Sequence, residues 1–509
     1  MITLHLFLCA LAVLWIYFLW SRRRIYKLML ELPGPIGYPI IGSTYEHVIQ
    51  KKRQIRFRTK YFNKYGNTIL TWIGPVPIVI TRDPNFLKDV FATCHNKSVH
   101  MVKAITNCMG NGILSTQDPL WHEHRKNINP AFKLDLLVTF LPIFEAEANR
   151  VVSLLETYVD KGEKSVIRDM LRWSVRIAAQ TTLGPDVKEE ELFKNDTLVE
   201  KLNALISLTT LNLINPLAQK KIIVNLFGHE KQKTAHVAEV FKMVDNVSEC
   251  KKNLNYIIKY LTCIVQVVEK RLNSKEESSG VESNILVNIA IDLYRKGVIK
   301  YNDIRSECGM MIAAGFDTSG LTAYHTLYTL AAHPQFQAKV FDELTEVFPN
   351  SADFQITYTD VQKLVYLDRA VKETLRLIPA IPITAREAAT DLRLPNGVVI
   401  PKGVLIGTDI FHTHRNPEFW GPEADIFNPD NFLPENLQKR HSHAFVGFAR
   451  GKRNCIGLKY AMLSIKFVLA KILRNYMVKT SFPFKDLVFV DNMTMKLVEY
   501  PRLEFLRRT

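Results

Sequence analysis

The sequence predicts a mainly α-helical protein with a minor β region, an α+β fold, and three observations carry that expectation. From Asn85 to about Leu377, apolar residues recur at helical spacing between polar breaks. The run Asn67 to Thr81 is rich in β-branched residues and is interrupted by Gly74-Pro75, the pattern of two short strands around a turn; a short helix around Arg56 to Tyr65 precedes it. Residues 390 to 410 return to short strands around the turn Leu394-Pro395-Asn396-Gly397.

At 509 residues the chain exceeds the usual size of a single core, yet no shift in composition divides it, so one large unit is expected. Hydrophobic residues make up 47% and charged residues 23%, enough apolar material for a deep interior. No internal repeat or low-complexity segment points to a solenoid or scaffold. The Ser- and Glu-rich stretch Asn273 to Ser283 reads as a soluble loop. A net charge of +16 favours anionic partners such as lipid or an acidic protein. Basic residues are spread along the chain without a DNA- or RNA-reading motif, so no nucleic-acid partner is expected.

Seven scattered cysteines, with no CxxC pair and no zinc spacing, suit a reducing compartment; Cys94, Cys108, Cys250, Cys263 and Cys308 read as small buried hydrophobes, and Cys455 is the exception. Residues 2–20 are apolar apart from Thr3 and His5 and nearly match a hydrocarbon layer of about 30 Å. Arg22, Arg23 and Arg24 follow at once, which keeps that end and the remaining chain cytosolic. A cleaved signal peptide carries its charge before the apolar run and ends in small residues, whereas this one ends Phe-Leu-Trp. The expected organisation is an uncleaved anchor over 1–21, a basic and proline-rich connector over 22–44, and one domain over 45–509. The prolines and glycines of Leu32 to Gly42 exclude helix and central strand there.

The strongest chemical signal is Phe448-Ala-Arg-Gly-Lys-Arg-Asn-Cys455-Ile-Gly457, a lone Cys bracketed by glycines and followed by the helical run Tyr460 to Leu473. Gly451 and Gly457 permit a close approach that a side chain would block, so a flat macrocycle fits against such a loop. Backbone amides and the start of the following helix favour negative charge on sulfur and are expected to lower the thiol pKa. The segment matches FxxGxRxCxG at every defined position, and the chain resembles the cytochrome P-450 superfamily of haem-thiolate monooxygenases, microsomal type, over nearly its whole length. The resemblance implies the cytochrome P-450 fold and a non-covalent haem b whose iron takes Cys455 as axial ligand, with Phe448 and Gly457 completing the loop.

Further segments extend the resemblance. Ala314-Gly-Phe-Asp317-Thr318-Ser319 interrupts the apolar stretch Met310 to Leu330 with an acid and an alcohol, and burying such groups is costly unless they are paired or used. Gly315 weakens the helix, so a local bulge is expected. The segment resembles the oxygen-binding stretch [AG]GxDT[TS], which implies that Thr318 hydrogen-bonds the bound oxygen and that Asp317 relays protons. Glu373 and Arg376 share one helix face and resemble the ExxR pair, a structural element. Its third partner falls at Asn431, where Arg or His is commoner, so that network is expected to be weaker or differently wired. Trp121 and Arg125 fit WxxxR and Arg386 fits PxxxR; with Arg453 they are the propionate candidates. The pairs His122/His124, His412/His414 and His441/His443 lack the companions of a metal site, and no second metal is assigned.

The wording around Trp121 to Phe132, Asp303 to Thr318 and Phe427 to Asn436 most resembles the fatty-acid ω-hydroxylase branch, family 4, especially its insect members. Many of these carry Glu where this chain has Ala314, so an ester link to haem is not expected here. The resemblance implies O₂, a hydrophobic substrate (fatty acid, hormone or xenobiotic), and an endoplasmic-reticulum membrane location. No GxGxxG follows a strand, so electrons must come from another protein; the resemblance to microsomal relatives implies NADPH through cytochrome P-450 reductase, with cytochrome b5 as a second donor. Arg450, Lys452, Arg453 and Lys459, extended by Lys439, Arg440 and Lys466, are expected to form a basic docking cluster. Superfamily members that rearrange peroxides commonly lack the Thr found here as Thr318, and a non-catalytic haem binder would lack the acid–alcohol pair; Asp317 and Thr318 argue against both.

Overall fold

The structure, a computed structural model, describes residues 23–35, 43, 54–73, 76–189, 197–214, 264–273, 285–350, 354–394 and 396–508, and among the first 22 positions residues 5, 9, 10, 12, 13, 15–17 and 20. Helices dominate. They run α1 (Arg23–Glu31), α2 (Gln54–Tyr65), α3 (Pro84–Thr93), α4 (Val99–Met109), α5 (Leu120–Ile128) and α6 (Leu141–Glu156). After these come α7 (Ile167–Leu183), α8 (Thr197–Ile214), α9 (Leu286–Arg295), α10 (Tyr301–Ala332), α11 (Pro334–Val347), α12 (Val365–Leu377) and α13 (Leu458–Asn475). Asn273 is helical, and the rest of the loop expected over 273–283 lies outside the described residues.

The minor sheet forms where the β-branched runs predict it. Strands β1 (Thr68–Ile73) and β2 (Val76–Thr81) pair antiparallel, with Ile69 opposite Ile80. Strand β3 (Ile383–Glu387) carries Arg386, and β4 (Leu392–Arg393) pairs β5 (Val399–Ile400). Strand β6 (Leu405–Asp409) joins the first sheet, in the order β1-β2-β6-β3, parallel to β2 and antiparallel to β3. The carboxy-terminal strands β7 (Tyr476–Lys479) and β10 (Glu504–Arg507) form one ribbon, and β8 (Phe489–Asp491) and β9 (Met495–Leu497) a hairpin.

Helix α1 lies inside the stretch read as a connector. Leu28 and Leu32 are buried with Leu70, Trp72, Val79 and Ile406, so the helix docks on the sheet by its apolar face. Arg24 reaches Asp391 at 2.6 Å in an exposed pair. The Leu70 amide donates to the Pro33 carbonyl, and a Cβ on Gly34 would lie 1.9 Å from the Leu70 carbonyl oxygen, so only glycine lets the chain lie flat on β1. Of the expected anchor only part is described; those positions are helical, and Val13, Trp15, Ile16, Tyr17 and Trp20 are exposed. No helix among the described residues is long and apolar enough to cross a membrane.

The 32-residue α10 runs through the middle of the core, with α7 packed along it and α9, α12 and α13 around it. Gly315 produces no bulge: the helix is continuous, and the glycine instead brings α10 close to Ala178 of α7. One and a half turns further on, a Cβ on Gly320 would meet Ser174 Oγ at 2.6 Å and the Met170 carbonyl at 3.1 Å. Replacing a helical Gly by Ala gains about 1 kcal/mol of propensity, whereas over-packing costs about 1–3 kcal/mol. Gly320→Ala is therefore expected to lower the thermal unfolding temperature and Gly315→Ala, which touches only the Ala178 methyl at 3.3 Å, to leave it unchanged or raise it, as followed by circular dichroism.

Candidate functional site

The loop that presents Cys455 is shaped by its backbone. Ala449 and Gly451 adopt φ of 54° and 73°, and a Cβ at Gly451 would stand 2.1 Å from the Phe91 carbonyl oxygen, so glycine is required for the loop to lie against α3. The Cys455 amide donates to the carbonyl of half-buried Phe448 at 2.9 Å and closes the turn. Gly457 then leads into α13, where a Cβ would sit 4.0 Å from the Cys455 sulfur and narrow the space beside it. Cys455 is an exposed residue whose thiol is nonetheless desolvated by the protein packed around it, and α13 directly behind it is mostly buried. The free thiol's pKa is raised, contrary to the sequence expectation. Burial outweighs the amide of Gly457 and the charge of Arg125, which both favour the thiolate.

Beside the loop lies a group of cations with spare donors. Trp121 is buried, and the Arg453 guanidinium covers its ring at 3.9 Å while donating from Nη2 to the Thr116 carbonyl. Arg386 is buried on β3 and donates from Nη1 to Thr384 Oγ1 and the Ala385 carbonyl. Arg453 Nε and Nη1 and Arg386 Nε are buried without a hydrogen-bond partner among the described residues. Lys97, which sequence reasoning missed, joins them from an irregular segment, its Nζ donating to the Leu114 carbonyl at 2.7 Å. Burial, then the charges of Arg386 and Arg453, push the Lys97 pKa well down. Burial likewise lowers Arg386 and Arg453, whose guanidinium groups nonetheless stay charged. Clustered cations with unused donors are the complement of an anion carrying carboxylates. Arg125 is engaged with the loop itself: its two Nη atoms donate to the carbonyl and side-chain oxygens of Asn454, and its charge reaches Cys455.

On α10 the open face is narrow. Ala314 is exposed and Gly315 and Thr318 are half-buried, while nearly all their neighbours on the helix are buried. Thr318 Oγ1 donates to the Ala314 carbonyl at 2.6 Å, leaving its lone pairs toward the opening. Asp317 does not share this face. It is buried, accepts from Thr494 Oγ1, and pairs with Lys496 Nζ at 2.5 Å, so the carboxy-terminal hairpin holds both its oxygens.

Glu373 and Arg376 are both fully buried and bidentate, with Nε and Nη2 each 2.7 Å from a carboxylate oxygen. The remaining guanidinium donors go to the carbonyls of His414, Ala424 and Ile426. Asn431 Nδ2 donates to Glu373 at 3.0 Å, so the expected third position is occupied, and its wiring continues to Arg440. Arg440 is half-buried here, and Lys466 is buried against the Val361 carbonyl and Asp368; neither belongs to the exposed basic cluster expected from sequence. Arg450, Lys452 and Lys459 are exposed.

A second buried pair escaped sequence reasoning. His124 of α5 meets Glu307 of α10 at 2.5 Å, and Glu307 also accepts the Ile113 amide. Burial works to lower the His124 pKa, but the hydrogen bond and charge of Glu307, with Asp303 and Glu123 nearby, outweigh it and raise the pKa. Glu307 lies in the polar stretch Asp303-Ile-Arg-Ser-Glu307, which gives no local signal that it is buried.

The Cytochrome P450 family model matches residues 32–486. The chain belongs to the cytochrome P450 family. Probable cytochrome P450 313a1 of Drosophila melanogaster is 57% identical over 100% of both chains, and probable cytochrome P450 313a3 of the same organism 46% identical over 100% of both. Cytochrome P450 4g1 is 27% identical over 95% of this chain and 90% of its own, so the family-4 likeness read from sequence holds at a greater distance. As a P450 the chain is a monooxygenase, an oxidoreductase with a haem cofactor that uses O₂ and a small-molecule substrate.

For this P450 the His124–Glu307 pair makes a pH-dependent contribution. A raised histidine pKa gives stability that is complete below the ordinary value of 6.5 and is lost as pH climbs through the raised one. Glu307→Gln is expected to cost about 1–3 kcal/mol at pH 6, a deficit in thermal midpoint that shrinks as pH is raised; a pH-independent deficit would contradict an ionised pair.

Proposed function

We propose that this P450 is a microsomal-type monooxygenase whose Cys455 thiolate ligates the iron of a non-covalent haem b. The observation that carries the reading is the free, exposed Cys455 beside Gly457, together with the unpartnered donors of Arg386 and Arg453. Trp121, Arg386 and Arg453 hold the propionates, with Lys97 as a further cation; Arg125 acts on the loop through Asn454. Phe448 and Gly457 line the ring, and Glu373, Arg376 and Asn431 brace the segment behind it. Metal coordination deprotonates a thiol outright, which overrides the raised pKa of free Cys455.

When bound, the haem activates O₂ with two electrons for insertion of one oxygen atom into a C–H bond, the thiolate pushing electron density toward O–O cleavage. Thr318 Oγ1 orients a hydrogen bond at the open face of α10, and the apolar side chains around it exclude water from a hydrophobic substrate: a fatty acid, hormone or xenobiotic. Asp317, buried behind that face, is the acid next along the helix, and its proton relay would run toward solvent through Lys496, which is one-fifth exposed. Ala314 offers no carboxylate for an ester to the haem.

Electrons come from NADPH through cytochrome P-450 reductase, with cytochrome b5 as a second donor, docked at exposed Arg450 and Lys452. The exposed aromatic and aliphatic residues of positions 13–20, ahead of Arg22–Arg24, support a single-pass anchor (1–21) in the endoplasmic reticulum membrane, the 22–44 connector, and a cytosolic catalytic domain over 45–509.

The test is the carbon-monoxide difference spectrum of the reduced protein. The thiolate-ligated band is expected, and Cys455→Ser abolishes it. A well-folded protein without the band overturns the assignment. Thr318→Ala is expected to keep the band while uncoupling oxygen consumption from product, by about 10²-fold or more in product rate; full coupling in that variant would remove Thr318 from proton delivery.

A further inference from the structure

Glu373 is buried completely and its acceptor positions are filled by Arg376 twice, the Asn428 amide and the Asn431 side chain. The family resemblance leads one to expect a cation at position 431, where this chain has a neutral amide. The amide is not the end of the chain of bonds. Asn431 Oδ1 accepts Nη2 of Arg440 at 2.8 Å, nine residues further on, and Arg440 Nη1 donates to the Phe419 carbonyl at 3.1 Å. A guanidinium on the oxygen of an amide polarises its N–H, so the Asn431 to Glu373 bond is strengthened by a charge one group away. Trp420, itself buried, receives the guanidinium carbons of Arg376 and Arg440 at 4.8 and 4.5 Å from its ring centroid, which steadies two like charges close together.

We propose that Arg440, acting through Asn431, is the third cation of the Glu373–Arg376 network and a positioning residue for the Cys455 loop. The route from one to the other is short. Arg440 follows the helical turn Pro434–Gln438 and stands at the head of the segment that becomes the loop. Six residues on, the Val446 amide donates to His414 Nε2, and the His414 carbonyl is held by Arg376. Burial keeps His414 neutral, with a pKa of about 3, so one ring nitrogen can accept Val446 while Nδ1 donates to the Arg376 carbonyl. Releasing Arg440 frees Asn431, the Phe419 carbonyl and the entry to the loop together. A surface arginine serving partner docking would make none of these bonds.

The inference rests on the haem-thiolate reading above, and the experiment separates the two. Arg440→Leu, Asn431→Arg and the double variant are expressed as full chains and compared by haem content and by the reduced carbon-monoxide spectrum. Arg440→Leu is expected to lower the fraction of protein with the thiolate-ligated band about tenfold, the loss of one charge-assisted bond, with the remainder as thiol-ligated or haem-free protein. Asn431→Arg added to Arg440→Leu is expected to restore most of the band by returning the cation to Glu373. Asn431→Arg alone sets a second guanidinium beside Arg440 and is expected to do worse than the double variant. If Arg440→Leu does not fold, a folded double variant still supports the proposal. A wild-type band unchanged in Arg440→Leu, or a double variant no better than Arg440→Leu, overturns it, whereas absence of the band from wild type overturns the haem-thiolate reading instead.

Discussion

Glu373 and Arg376 form an ion pair from which water is excluded on every side, and a pair so placed must have every donor and acceptor met. The five guanidinium donors reach one carboxylate and three carbonyls drawn from residues 414, 424 and 426. Meeting that demand dictates the path of irregular chain after β6, since those carbonyls have to converge on one side chain of α12. The sheet, α12 and the approach to Cys455 are thereby locked in one arrangement. A motif of modest worth on a helix surface becomes, at zero exposure, a geometric constraint on some fifty residues of chain.

The cations near Cys455 follow the opposite rule. Lys97, Arg386 and Arg453 are desolvated and repel one another, and their protein partners are carbonyls and a hydroxyl that leave Nε atoms and one Nη unused. Incompleteness of this kind in a folded interior is a mark of function, because the protein forgoes stability to keep a place for a dianionic partner. Glu307, paired with His124, holds the backbone over 112–116 whose carbonyls in turn hold Lys97 and Arg453, so the two buried networks share one stretch of chain.

Much of this was legible in the sequence because it is local. The glycines flanking Cys455, the period of α10 and the β-branched runs of β1 and β2 each specify backbone within a few residues, and each forms as expected. What was not legible depends on partners distant along the chain. Arg125 reads as a propionate candidate, and its bonds to Asn454, 329 positions away, could not be read from sequence. Asp317 reads as a proton relay beside Thr318, and nothing near it in sequence announces Thr494 and Lys496 as its partners. Lys97 and Lys466 look alike in sequence, yet one joins the cation group and the other plugs a carbonyl of the core. The thiol pKa failed for a quantitative reason: the sequence displays the amide and the cation that stabilise a thiolate, and hides the desolvation that outweighs them.

The cation group also bears on how the chain is made. On the assignment proposed above, a newly synthesised molecule that has completed every other contact still holds Arg386 and Arg453 together beside Lys97, whose pKa they help push down, and an incoming dianion relieves that repulsion. The folded fraction then rises with free cofactor by mass action. On that assignment, the fraction still without haem is the one left to chaperones and proteases.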